Sequence, residues 1–211
     1  MYLSDRDLAW AIETGRLTVD PRPERIDATS LDLHLGTVED AKIWDIQRFT
    51  EDLQASGKSR PELHVGRYKI GVFGPKYLKS PPQYNDRATD LVLRRGDEVI
   101  LRPLGFMLWP TREIVGTPKD NADVICFVDG KSTKARTGMV VHLTAPTIHS
   151  TWTGNVVLEI VNLGPFDLVF QEGDAVAQLT VCRITSPPNK GVEGVSATYG
   201  QTAVYGRGER A

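Results

Sequence analysis

From about residue 91 onward the chain is a succession of short apolar runs, each closed by glycine, proline or charge. "LVLRRGDEVILRPLGFMLWPTREIVGTP" opens the series, and "MVVHLTA", "GNVVLEIVN", "FDLVF" and "DAVAQLTVCRI" continue it. Regular short strands with turn signals between them specify a sandwich, a jelly roll or a small barrel. The segments before residue 91 attach to that frame. Ser4 precedes an acidic turn and then Leu8, Trp10 and Ile12, with Gly15 beyond. That order predicts an N-cap, a helix of about ten residues and a glycine stop. "SLDLHLG" sets Leu31, Leu33 and Leu35 against Ser30, Asp32 and His34, the two-residue period of a strand with one buried face. Residues 48–62 are polar, with a short helix around "RFTEDLQAS". Residues 74–90 carry three prolines and few apolar side chains, which predicts a long surface excursion.

With 211 residues, 40% of them hydrophobic, the chain can bury one good core, so one domain over 1–211 is expected. A net charge of −2 gives no bulk attraction to nucleic acid or to a membrane surface. No apolar run approaches the roughly 18 residues of a membrane span. "MYLSDRDLAW" carries acids and no apolar core, which does not read as a signal peptide, and a cytoplasmic location is expected. Cys126 and Cys182 lie in the apolar runs "VICFV" and "LTVCRI", where buried free thiols are expected rather than a disulfide.

"VDGKST", residues 128–133, ends like a phosphate-binding loop. That loop needs a glycine five residues before Gly130, and Ile125 stands there. A β-branched residue resists the backbone curl that cradles phosphate, which argues against an ATPase. Zinc nucleobase deaminases need H-x-E and P-C-x-x-C, and neither occurs. The four histidines, His34, His64, His142 and His149, show no H-E-x-x-H spacing, and there is no G-x-S-x-G elbow.

A polar constellation remains in "GKSTKARTGMVVHLTAPTIHSTWTGNVVLEIVNLG", residues 130–164. Strand alternation puts Glu159 on one face with Val157 and Val161. This is either the solvent face of an edge strand or a carboxylate in a sheltered pocket, able to shuttle protons. Arg136 follows Ser132 by four residues, so one helical turn would point both at a common ligand. A surface salt bridge is the plainer alternative. The glycine-rich tail is either a disordered terminus or, with Tyr199, Gln201, Tyr205, Arg207 and Arg210, a closure over a polyanionic ligand.

These blocks resemble the dCTP deaminases of the trimeric dUTPase superfamily. The family pattern runs roughly G-R-S-S-x-x-R-x-G, H-x-T-A, I-D, an aromatic, a glycine and L-E. Here "GKSTKARTG", "HLTAPTIHSTWTG" and "VVLEIVN" keep its order and spacing. "MYLSDRDLAWAIETGRLTVDP" looks like the family's opening, "IDATSLDLHLG" like its second block and "DAVAQLTV" like its late G-Q-L strand. The likeness spans nearly the whole chain and is weakest over 48–90. It implies a mostly-β, distorted jelly-roll or β-barrel of the dUTPase-like type with a short N-terminal helix. It also implies a homotrimer with active sites between subunits and a C-terminal arm, 186–211, closing over bound nucleotide. Deamination would need no zinc, and Mg²⁺ would ride on the nucleotide phosphates.

By the same resemblance, Glu159 matches the general acid/base that activates water for attack at cytosine C4. Ser132 matches the serine that places the water, and Arg136 the arginine beside base and carboxylate. Ala145 matches the alanine whose backbone helps hold the water, with Thr144 beside it, and Trp152 the aromatic near the deoxyribose. Lys131, Thr133, Gln178, Tyr199 and Gln201 fall at or near phosphate-contacting positions.

The chain also departs from the pattern. The family's I-D aspartate is His149, the glycine before the aromatic is Thr151, and the arginine opening the phosphate motif is Lys131, a point charge in place of a planar fork. Thr198 stands where a lysine is usual, and the tail's Y-x-x-Q is one residue short. His149 could donate to a sugar hydroxyl or phosphate, or pack inertly. Its presence argues against dUTP diphosphatase activity. The expected function is conversion of dCTP to dUTP and ammonia. The alternatives are deamination of a modified or ribo-cytidine nucleotide, a nucleotide-binding regulatory module, or a dUTP diphosphatase-like enzyme.

Overall fold

The apolar runs form strands whose ladders cross the chain rather than following it. A computed structural model describes residues 1–58, 62–66, 70–118 and 122–188. The elements, in order, are α1 (Asp5–Glu13), β1 (Thr18–Asp20), β2 (Leu31–His34), a 3₁₀ turn (Val38–Asp40), β3 (Ile43–Trp44), α2 (Ile46–Ala55), α3 (Ile70–Tyr77) and β4 (Leu78–Lys79). There follow β5 (Val92–Arg95), β6 (Glu98–Leu101), β7 (Phe106–Gly116), β8 (Val124–Gly130), α4 (Ser132–Ala135), β9 (Met139–Val140), β10 (Thr147–Ile148), β11 (Thr153–Asn162), β12 (Leu168–Gln171) and β13 (Ala175–Arg183). They assemble as sheets β1-β7-β11-β9, β10-β8-β13-β2, β12-β6-β5 and β3-β4. Each of these strand pairings is antiparallel.

The predicted signals act where they stand. Ser4 caps α1 by accepting the Asp7 amide, and Leu8 and Ala11 turn its apolar face inward. Leu31, Leu33 and Leu35 are all fully buried, and Asp32 and His34 face the other way, half-buried. The core gathers these leucines with Met107, Trp109, Leu158, Ile160 and Leu179. The Trp109 indole, fully enclosed, donates to the carbonyls of Gly36 at 3.2 Å and Thr37 at 3.0 Å, so its one polar atom is satisfied.

Two features differ from expectation. β7 runs straight through Pro110 instead of breaking there. Proline gives no amide to the ladder, and the register with β11 slips between Asn155 and Val157. Thr111 fills the gap: its hydroxyl accepts the Val156 amide at 3.0 Å and donates to the Glu113 carbonyl at 2.8 Å. The stretch 74–90 is also not a plain excursion, because α3 and β4 occupy its start. Phe73 and Tyr77 of α3 pack with Trp44 and Phe49 at ring separations of 4.8–5.4 Å, a small aromatic core of their own. Asp52 ties it shut through Lys76 at 2.7 Å and the Tyr77 hydroxyl at 2.9 Å.

Both cysteines are free. Cys126 is buried as expected, whereas Cys182 is only half-buried. Burial, with a smaller contribution from Cys182, pushes the Cys126 thiol up to about 12. The thiolate is the reactive form. Iodoacetamide at pH 8 should therefore leave Cys126 of the folded protein unmodified, by peptide mass mapping, and label it only after denaturation. Equal labelling of Cys126 and Cys182 in the native state would contradict this burial. No described helix is long and apolar enough to cross a membrane.

Candidate active site

Glu159 lies on β11 between β7 and β9, on an interior strand and not an edge. Alternation holds as expected: Val156, Leu158 and Ile160 are buried, while Val157, Glu159 and Val161 share a half-buried face. Glu159 is fastened twice to the loop that follows β9. Its amide donates to the Val141 carbonyl at 3.1 Å, and its Oε2 accepts the Leu143 amide at 3.0 Å. The carboxylate therefore sits at the head of the "HLTA" loop, whose Thr144 and Ala145 are exposed. Among the described residues the other carboxylate oxygen accepts no hydrogen bond, so it is open to a water or a base.

A second group forms where β8 ends. Lys131 stands at the N-cap of α4 and is ion-paired with Asp32 of β2. In the ladder Gln178 of β13 lies directly between Asp32 and Asp129 of β8. Asp129 in turn approaches His142 at 4.0 Å, one residue before the Leu143 amide that Glu159 holds. A row of polar side chains thus links the Lys131 end to the Glu159 end. A recess of about 410 Å³ opens beside Asp32, lined also by Arg22, Arg25, His34, Arg112 and Glu113. Its charges are largely matched: Arg25 meets Asp27 at 2.9 Å, and Arg112 meets the buried Glu113 at 3.1 Å.

Ser132, Thr133 and Arg136 are exposed on α4, and Arg136 is its C-cap, so the single helical turn expected of them is present. Among the described residues none of the three bonds to Glu159. The reason is geometric. Gly138 accepts the Leu163 amide at 2.8 Å, so α4 hangs at the far end of β11. Four strand residues separate that point from Glu159, roughly 13 Å at the usual rise. His149 is exposed, and Trp152 is half-buried and packed on the core, both at the turn leading into β11. Tyr199, Gln201 and nearly all of the 186–211 arm lie outside the described residues.

The structure thus places Lys131 and Gln178 on either side of Asp32, and Glu159 beside the Thr144–Ala145 loop, while among the described residues Ser132, Thr133 and Arg136 do not bond to Glu159. Asp32, Asp129 and His142 were not singled out by the sequence. Their polar positions on otherwise apolar strands were visible, but their partners were not. Among the described residues, no group of three or more His, Cys, Asp or Glu side chains is arranged to hold a metal ion.

A family model described as dCTP deaminase-like matches residues 2–184. Among solved structures, the 2'-deoxycytidine 5'-triphosphate deaminase of Agrobacterium tumefaciens superposes with a TM-score of 0.52 at 18% identity. The match covers 87% of this chain and 49% of that one, so the chain spans about half the length of that relative. The likeness shows a shared fold. A dUTPase of EIAV matches 51% of this chain and 86% of its own at 20% identity and a TM-score of 0.37. A mutant dUTPase from phage phi11 of S. aureus, described with a structural Mg(II) ion, matches 53% and 88% at 18% identity and a TM-score of 0.36.

Proposed function

The chain belongs to the dCTP deaminase-like family, and from that premise we propose that it hydrolyses the exocyclic amine of a cytosine nucleotide, converting dCTP to dUTP and ammonia without zinc. The observation that carries this reading is Glu159, held on an interior strand with one carboxylate oxygen on the Leu143 amide. A base fixed this way has one oxygen anchored and one available, as proton transfer requires.

Water positioned by Ser132 and the Ala145 backbone gives a proton to Glu159 and adds to C4. Glu159 passes that proton to N3, then takes the proton of the new C4 hydroxyl and delivers it to the leaving amine, so water and cytosine balance against uracil and ammonia. Arg136 keeps base and carboxylate in register, and Trp152 and His149 meet the sugar. Lys131, Thr133 and Gln178, with Tyr199 and Gln201 of the 186–211 arm, take the phosphates. Mg²⁺ arrives on those phosphates as their charge screen and takes part in no step. The roughly 13 Å along β11 from the Gly138–Leu163 contact to Glu159, with no hydrogen bond from Ser132, Thr133 or Arg136 to Glu159 among the described residues, supports a homotrimer in which α4 of one subunit faces Glu159 of its neighbour. One domain over 1–211 and a cytoplasmic location belong to the same reading.

The test is product analysis with purified protein and Mg²⁺ on dCTP, dCMP, CTP, 5-substituted dCTP and dUTP, each followed for ammonia and pyrophosphate. Ammonia from dCTP is the expected result. Ammonia from CTP or the 5-substituted nucleotide alone would move the substrate to a ribo- or modified cytidine. Pyrophosphate alone would replace the deaminase with a diphosphatase. A second reading, nucleotide binding without turnover, draws on Lys131, whose charge is already engaged by Asp32. Tight binding with no product across the panel would favour it.

A further inference from the structure

The turn that carries His149 and Trp152 contains a residue in a conformation it should avoid. Thr151 has φ of 72°. A β-branched side chain rarely adopts that region and keeps it only where its surroundings over-determine the backbone. The surroundings here converge on Thr117, just past β7 and 2% exposed. The Thr117 hydroxyl accepts the Thr151 amide at 2.6 Å. The Thr117 amide donates to the Trp152 carbonyl at 2.9 Å, and the Thr117 carbonyl accepts from the Thr153 hydroxyl at 3.4 Å. Ser150, also buried, donates to the Val124 carbonyl at 2.7 Å and pins the other side of the turn.

Gly116 makes the approach possible. Its φ is +149°, and a Cβ there would stand 2.0 Å from the Trp152 carbonyl oxygen. The backbones of 116–117 and 151–153 therefore touch directly, bridged by the short bond to the Thr117 hydroxyl at 2.6 Å and the longer one from the Thr153 hydroxyl at 3.4 Å.

We propose that Thr117 is a positioning residue of the nucleotide site: its hydroxyl latches the strained Thr151 turn and so fixes His149 and Trp152 for the nucleotide's sugar. The inference rests on the proposed nucleotide site for the roles of His149 and Trp152. The latch itself rests on the backbone geometry. Nothing about Thr117 touches the reacting atoms, so its loss should affect binding and leave chemistry alone.

The experiment compares Thr117→Val, which keeps the shape and removes the acceptor, with Thr117→Ser, which keeps the hydroxyl. Amide exchange over residues 149–153, and KM, kcat and equilibrium binding for dCTP, are measured on the full chain. Thr117→Val should speed exchange of the Thr151 amide and raise KM and Kd by about tenfold, the scale of one lost hydrogen bond, with kcat nearly unchanged. Thr117→Ser should restore exchange, KM and Kd. Wild-type exchange in Thr117→Val, or a serine variant as impaired as the valine one, would overturn the latch. Faster exchange with unchanged KM and Kd would overturn the positioning role. If the wild type binds dCTP but releases no ammonia, exchange still decides the latch and the Kd comparison the positioning role, while the deaminase reading fails.

Discussion

Replacing Glu159 with glutamine should lower turnover of dCTP by about 10²–10⁴-fold, the usual contribution of a positioned acid/base. The same variant should bind dCTP with a Kd changed by less than about tenfold. The two outcomes separate because glutamine copies the size of glutamate and keeps one carbonyl oxygen. That oxygen can still accept the Leu143 amide, which Glu159 holds at 3.0 Å. What the amide cannot do is accept a proton from water and return it. Ammonia release and equilibrium dialysis on the same preparation measure both quantities.

Glu159→Ala makes a useful contrast. It removes the base and also the acceptor that holds the head of the "HLTA" loop, so binding should weaken together with turnover. A glutamine variant with turnover within about threefold of wild type would end the general acid/base assignment, since a lost proton relay cannot cost so little. A glutamine variant that loses binding as completely as turnover would make Glu159 a structural strut and not a base.

Features set by local chemistry were legible in the sequence. The Ser4 cap, the alternation of "SLDLHLG" and the placing of Glu159 with Val157 and Val161 each follow from residues a few positions apart. Glu159 stood out because it is a single charge inside the apolar run "VVLEIV". Pairings between distant segments were not legible. Lys131 and Asp32 are 99 positions apart, and Thr117 and Thr151 are 34 apart. No local pattern marks such contacts, because the ladder register that creates them is set by the whole sheet. Pro110 misled for a related reason. A proline signals a break unless a bulge and a side chain such as Thr111 replace its missing amide. α3 was hidden because Pro75 lies inside it and Pro81 and Pro82 follow soon after, while its stability comes from Phe73 and Tyr77 meeting Trp44 and Phe49.

Replacing Gly138 with alanine should destabilise the fold by about 3 kcal/mol or more, from left-handed strain and overpacking acting together. Gly138 has φ of +90°, and a Cβ there would lie 2.2 Å from the Gly164 amide nitrogen and 2.4 Å from its Cα. Those neighbours are backbone and cannot swing aside as a side chain could. Gly164 is itself pinned, its amide donating to Asn162 Oδ1 at 2.9 Å, while the Asn162 Nδ2 donates to the carbonyls of Leu101 and Phe166. Either the end of β11 moves or the turn carrying α4 does. Since α4 presents Ser132 and Arg136, the variant should also lose activity in whatever fraction stays folded. Thermal unfolding would show the effect as a fall of roughly 6–12 °C for a chain of this size. A Gly138→Ala protein melting within about 2 °C of wild type would mean that α4 is free to shift against β11. The distance between Arg136 and Glu159 would then not be fixed by the chain that carries both.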